Sequence, residues 1–315
     1  EAYRLYIRGR DYWNKRLTET LPKAIEYFQQ AIDLDPGYAL AYVGLADCYA
    51  LLSLYCALTP REAFPKARAA ALKALDLDPA LAEAHNSLGV IKLFYEWDWA
   101  GAESEFGRAI SLNPGYPDAH QRFGLYLTAT GRFEEAAAEL RRALELDPLS
   151  LITNTFTGYP FYYSRRYDRA VEHFLKPLEM DPNFSMAHFR LGLAYAQQGR
   201  YEESIAELKI AERLSGDRDA IAALGHVCGV SGRTEEARAT LAELGERSKK
   251  GFVSPYNMAV VHLGLGERDE ALAWLERAYA ERSYWLIYVH VDPLLDGLRA
   301  EARFADLARR VRPAP

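Results

Sequence analysis

The segment GLYLTATGRFEEAAAELRRALELDP, residues 124–148, decides how the rest of the chain is read. Apolar residues fall at helical spacing on both sides of Gly131-Arg132-Phe133, as Leu125-Tyr126-Leu127 before it and Leu140-Ala143-Leu144 after it. Glycine at the break tolerates the left-handed backbone that stops a helix. Asp147-Pro148 ends the second run, because proline disfavours helical geometry in the residue before it and has no N–H to give. The segment predicts two helices joined by a tight turn.

The landmarks Gly124, Ala136, Leu140, Ala143 and Pro148 recur along the chain. They return as Gly158, Ala170, Phe174, Pro177, Pro182, and as Gly89, Ala102, Phe106, Ala109, Pro114. Gly9, Ala24, Phe28, Ala31, Pro36 form another set, and Ala46 takes the glycine place before Ala67, Ala71, Ala74, Pro79. Weaker copies are Gly192, Ser204, Leu208, Ala211; Gly225, Ala237, Leu241, Leu244; and Ala259, Ala271, Leu275, Ala278. The second-helix small residues 24, 67, 102, 136, 170, 204, 237 and 271 are spaced 43, 35, 34, 34, 34, 33 and 34 apart. A clock this regular is the mark of a repeat architecture. Small residues facing each other would let the two axes of a hairpin approach closely.

A two-helix unit of 34 residues with Leu-Gly, Ala, an aromatic or Leu, Ala and Pro at these intervals resembles the tetratricopeptide repeat (TPR). The resemblance implies an all-α, right-handed superhelical solenoid of about eight helix pairs plus C-terminal capping helices, its first helices lining a concave groove. The repeats are expected at about 2–38, 39–81, 82–116, 117–150, 151–184, 185–217, 218–251 and 252–283, with a cap over 284–315. In the 43-residue interval Thr59-Pro60-Arg61-Glu62 reads as an N-cap, a first-position proline and a capping-box glutamate, so two lengthened helices are expected. Pro160 and Pro177 fall inside the helices of the fifth unit and predict a kink. After Ala278 the period fails; Tyr284 to Phe304 resembles the end of TPR regions fused in bacteria to winged-helix, Ser/Thr kinase or adenylate-cyclase domains. The polar last helix, with Arg299, Arg303, Arg309 and Arg310, suits a solenoid end.

Composition narrows the function. The 315 residues carry a net charge of −6, which leaves no global basic footprint for nucleic acid or anionic membrane. No window approaches the eighteen or so apolar residues of a membrane span. Cys48, Cys56 and Cys228 form no CxxC pair, as in a chain of a reducing, cytoplasmic compartment. The opening Glu1-Ala2-Tyr3-Arg4 already reads as helix, which is expected of a region cut from a longer protein. Phosphate-loop, zinc-protease and serine-hydrolase motifs are missing, and Gly264-Leu265-Gly266 lacks a third glycine and a preceding strand. His85, His120 and His188 each stand four residues before the repeat glycine, about one repeat apart; the resemblance puts a packing aromatic there, and one ion cannot bridge them. Cys48 and Cys56, eight apart, read as small hydrophobes on one helix face. Glu134-Glu135, Glu202-Glu203 and Glu235-Glu236 open second helices, where carboxylates complement the helix dipole. No metal, cofactor or catalytic residue is nominated.

What remains is the groove that the resemblance implies. Its lining includes Asn86 and Phe94, Gln121 and Arg122, Tyr159, Tyr162 and Tyr163, then Phe189 and Arg190. Charges at equivalent places are Arg10, Asp47 and His226, so aromatics are present without the positive field that single-stranded nucleic acid requires. The Lys/Arg and Asn set with which chaperone-binding relatives grip a terminal carboxylate is replaced by Thr155, Tyr159, Phe189 and Leu193. Aromatics and arginine are the residue types that anchor interfaces, although each of these could equally pack between repeats. The expectation is a non-enzymatic scaffold, the interaction region of a larger bacterial regulator, holding a protein or peptide ligand at that aromatic centre. The alternative is a self-association module giving a homo-oligomer. Catalysis would need convergent carboxylates or a metal set across the groove.

Overall fold

In the computed structural model, which describes residues 1–15 and 17–312, the chain is all-α, with no strand among the described residues. Arg16 and the last three residues of the expected cap lie outside that range. The chain divides into two compact units, residues 1–122 and 123–315.

In the first unit α1 (Ala2–Asn14) packs on α2 (Leu21–Leu34), α3 (Ala39–Leu54) on α4 (Pro60–Leu77), and α5 (Ala82–Ile91) on α6 (Trp99–Leu112). A wide turn, Lys92–Glu96, extends α5, and α7 (Pro117–Ala129) begins here and runs into the second unit. The long pair α3/α4 accounts for the 43-residue interval, and Thr59 and Glu62 form the expected capping box. The turn between them puts Cys56 outside the helix with φ 55°, so Cys48 and Cys56 do not share a helix face; both are buried.

The second unit continues with α8 (Phe133–Leu146), the short α9 (Leu151–Phe156) and α10 (Tyr159–Tyr163), then α11 (Tyr167–Met180). Three hairpins follow: α12 (Ser185–Gln197) with α13 (Tyr201–Ser215), α14 (Arg218–Val230) with α15 (Thr234–Ser248), and α16 (Pro255–Gly264) with α17 (Arg268–Ala280). Tight 3-10 turns at Tyr284–Tyr288 and Pro293–Leu298 lead to α18 (Ala302–Val311). Pro160 interrupts the first helix of the fifth hairpin, leaving Thr157-Gly158 between α9 and α10, whereas α11 runs through Pro177 in its last turn.

The packing code is more specific than mutual smallness. A Cβ on Gly9 or Gly44 would meet the Phe28 ring at 2.6 Å, so two glycines sandwich one fully buried phenylalanine. Gly89 makes the same room for Phe106, Gly158 for Phe174 and Gly124 for Leu140. These glycines, and Gly192 for Leu208, are sockets for the large residue of the second helix, whose burial contributes about 1.5–3 kcal/mol, whereas Gly225 meets Thr240 instead. The Asp-Pro stops have a second cause besides proline. Asp35, Asp78 and Asp181 each accept the N–H two residues on, at 2.9–3.0 Å, and Asn113 does so at 3.1 Å.

Position four before the glycine is polar rather than aromatic packing. Nε2 of His85, His120 and His188 lies 2.9–3.1 Å from the carbonyl of the proline six residues earlier, and Asn154 Nδ2 donates to Pro148 in the same way. Nδ1 of His85 and His188 meets Glu105 and Glu207 on the second helix, at 2.7 and 2.5 Å. These side chains fasten each hairpin to the turn before it.

Candidate functional site

Glycine takes the left-handed backbone at four of the hairpin turns, Gly131, Gly199, Gly232 and Gly266, while Arg165 takes it at the fifth with φ 64°. A side chain there has a use. Arg165 donates to the Val291 carbonyl at 2.6 Å and to Asp296 at 2.6 Å, holding the segment 284–298 against the second unit's first helices. Tyr288 stacks on Tyr163 with centroids 4.5 Å apart and planes 8° from parallel. Trp285 lies near Phe189 (6.4 Å) and Tyr256 (6.0 Å). The Tyr256 hydroxyl donates to Asp292 at 2.5 Å, and the Tyr284 hydroxyl to Asp219 at 2.6 Å.

The aromatic centre expected as an open groove is therefore covered by the chain itself. Tyr159, Tyr162, Tyr163 and Arg190 are at most 4% exposed, and Phe189 is half-buried. The physical reason is the run Tyr284 to Val289, too apolar for a helix end that faces water; Leu286, Ile287 and Val289 are wholly buried. The expected cap has two parts: 284–298 lies along the first-helix face, and α18 covers the outer end through Arg303–Asp269 (3.4 Å) and Arg310 over Tyr279 (4.5 Å). Burial raises the pKa of the Tyr162, Tyr163 and Tyr256 phenols and keeps them protonated. Burial also raises the Asp292 carboxyl, outweighing its bonds from Tyr256 and the Leu294 N–H.

The same helix face of the first unit has a different chemistry. Arg10 on α1 pairs with Asp47 on α3 at 3.8 Å, and Ser87 on α5 donates to Asp47 at 2.6 Å. Arg10 also lies 4.2 Å from the Trp13 ring, while Tyr6 sits between Phe28 and Tyr38. Burial opposes the Arg10 charge, but Asp47 and then Tyr6 carry its pKa above the ordinary value. Of the residues expected to line the groove here, Asn86, Phe94 and Gln121 are buried, and Arg122 is half-exposed. Ser87 was not among them; a serine two residues before the glycine carries no signal in one repeat alone. No group of three or more metal-ligating side chains forms among the described residues. No helix is long and apolar enough to cross a membrane.

Hairpins of this kind, glycine socket against aromatic or leucine and closed at Asp-Pro, define a helical repeat protein. Models of the tetratricopeptide repeat match residues 19–55 and 158–219, 93–152, and 222–243 and 256–277, together more than half of the chain. The chain belongs to the tetratricopeptide-repeat family. It is 26% identical over 144 residues to the transcriptional regulator HilA of Salmonella typhimurium, a stretch that is 46% of this chain and 26% of HilA. The match thus spans about a quarter of that relative's length. Among solved structures, the APC/C hetero-tetramer Cut9–Hcn1 matches with a TM-score of 0.63 and 15% identity, over 93% of this chain and 52% of that one. YrrB, described as a TPR protein with an unusual peptide-binding site, matches at a TM-score of 0.39 and 24% identity over 62% of this chain and 96% of its own.

Proposed function

We propose that this chain is the non-enzymatic interaction region of a larger regulatory protein, and that a protein or peptide partner docks on the first-helix face of the first unit. The carrying observation is the contrast in cover. In the second unit that face is buried under the chain's own segment 284–298, whereas in the first unit the Arg10–Asp47 pair and Arg122 stay partly exposed. The covered face supports the reading, since it displays a segment of 3-10 turns held on first helices by arginine and aromatic contacts. The partial likeness to a transcriptional regulator supports a place within a regulatory protein.

Charge reversal on the exposed face tests it. Arg122→Glu is expected to lower partner capture from source-cell extract at least about tenfold, the effect of one lost interface arginine, with the thermal melt within a few degrees of wild type. A reversal at an exposed arginine of the other unit, Arg268→Glu, is expected to leave capture intact. Equal capture by wild type and Arg122→Glu would remove this face as the docking surface.

A further inference from the structure

The second unit contains a cavity of about 30 Å³ lined by Tyr162, Arg190, Asn257 and Trp285, among others. That is room for roughly two water-sized probes, or one small planar group. Four buried polar atoms on those residues have no hydrogen-bond partner: Tyr162 Oη, Arg190 Nε, Asn257 Oδ1 and Trp285 Nε1. Orphaned buried polar atoms are rare, and four on one cavity call for a ligand.

The atoms specify its chemistry. Arg190 Nε and Trp285 Nε1 can only donate, while a tyrosine hydroxyl can donate or accept. The Asn257 orientation is fixed, because its Nδ2 donates at 2.9 Å to Asp219, a carboxylate that can only accept. Its Oδ1 is therefore the unpartnered acceptor on that lining. Asp219 and Asp292, also on the lining, each already take two hydrogen bonds, and they disfavour a further anion. Arg190 sits 4.1 Å from the Tyr159 ring and 4.9 Å from Trp285, so its charge faces π-electrons.

We propose that this cavity is a binding site for a primary carboxamide. The carbonyl oxygen accepts from Arg190 Nε–H and Trp285 Nε1–H, and the NH2 group donates to Asn257 Oδ1 and Tyr162 Oη. All four orphans are satisfied by one neutral planar group, which a carboxylate cannot do, because it has no hydrogen for Asn257. Since Trp285 belongs to the covering segment and the other three to the hairpins, the bound amide ties 284–298 to the wall. The amide comes either from a small free molecule or from an Asn or Gln side chain of a partner.

The test uses the full chain and the Trp285 indole N–H proton resonance, assigned with Trp285→Phe. Acetamide is expected to shift it saturably, with a millimolar dissociation constant set by so few heavy atoms; acetate at equal ionic strength is expected to leave it in place. Tyr162→Phe keeps the ring and is expected to weaken acetamide about three- to tenfold, the loss of one hydrogen bond. Asn257→Asp, which presents a second buried acid, is expected to weaken it further. A tripeptide with central Gln, blocked as the N-methylamide, is compared with its Glu analogue. Binding tighter than acetamide by the Gln form alone assigns the amide to a partner side chain, and acetamide binding without it assigns a free molecule. No saturable shift with either amide, equal binding of acetate, or unchanged binding in both variants would overturn the proposal and leave the cavity to water.

Discussion

Two arginines on first helices, Arg10 in one unit and Arg190 in the other, show how one architecture yields two kinds of surface. Both lie over a tryptophan ring, at 4.2 Å from Trp13 and 4.9 Å from Trp285. Arg10 keeps 28% of its side chain in solvent and faces Asp47, an arrangement that water can screen. Arg190 is 3% exposed and ringed by aromatic faces. The difference lies in the cover: Trp13 belongs to the same helix as Arg10, while Trp285 arrives from a segment 95 residues downstream. A repeat face stays polar where nothing covers it and becomes a core where the chain returns to it.

Breaking the cover gives the largest expected effect. Trp285→Ala removes a 7%-exposed indole and is expected to destabilise the second unit by about 3–5 kcal/mol. Hydrogen exchange should lose protection across α10, α12, α14 and α16 while α1 to α6 hold theirs. Uniform loss across both units would mean that the two faces are not independently stabilised.

Arg165 sharpens the comparison at smaller scale, because its two roles can be separated. Arg165→Gly keeps the left-handed turn and loses the bonds to Val291 and Asp296, which contribute about 1–2 kcal/mol as charge-assisted bonds in a half-exposed place. Arg165→Ala loses the same bonds and keeps the left-handed Cβ strain that the arginine already carries, so it is expected to lie about 1 kcal/mol below Arg165→Gly, which relieves that strain. Urea midpoints in the order wild type, Gly, Ala would support both roles; Ala at or above wild type would leave the arginine no part in holding the segment.

The helices were legible because their causes are local: apolar spacing, glycine at the turn and Asp-Pro at the stop all lie within one hairpin. The capping box at Thr59 and the break near Pro160 were legible for the same reason. The fate of 284–298 was not, since its partners Arg165, Arg190 and Asp219 are 65 to 131 residues away and 3-10 turns carry no period to extrapolate. Two signals pointed to it nonetheless. Tyr284-Trp285-Leu286-Ile287-Tyr288 is richer in aromatics than an exposed end requires, and Arg165 stands where the sibling turns use glycine. The expected site residues of the second unit are covered by the chain itself.

The smallest effect concerns the broken helix beneath that cover. His173 on α11 meets the Thr157 hydroxyl at 2.9 Å and stacks on Phe161 at 4.7 Å, bracing the gap between α9 and α10. Thr157 has one hydroxyl hydrogen, which goes to the Asn154 carbonyl at 2.6 Å, so His173 Nδ1–H is the donor and a second proton would have to load Nε2. Burial first, then Lys176 and Arg169, depress its pKa from 6.5 to about 4. The folded state thus binds that proton less readily than the unfolded chain, and the stability from neutral His173 is present above pH 6.5 and lost as pH falls toward 4. The slope it adds cannot exceed about 1.4 kcal/mol per pH unit, the limit for one proton. Urea melts of wild type and His173→Gln at steps from pH 7 to 4.5 isolate it, because every other titrating group is common to both. The variant is expected to lose less stability across that window; parallel curves would mean that His173 titrates alike in both states.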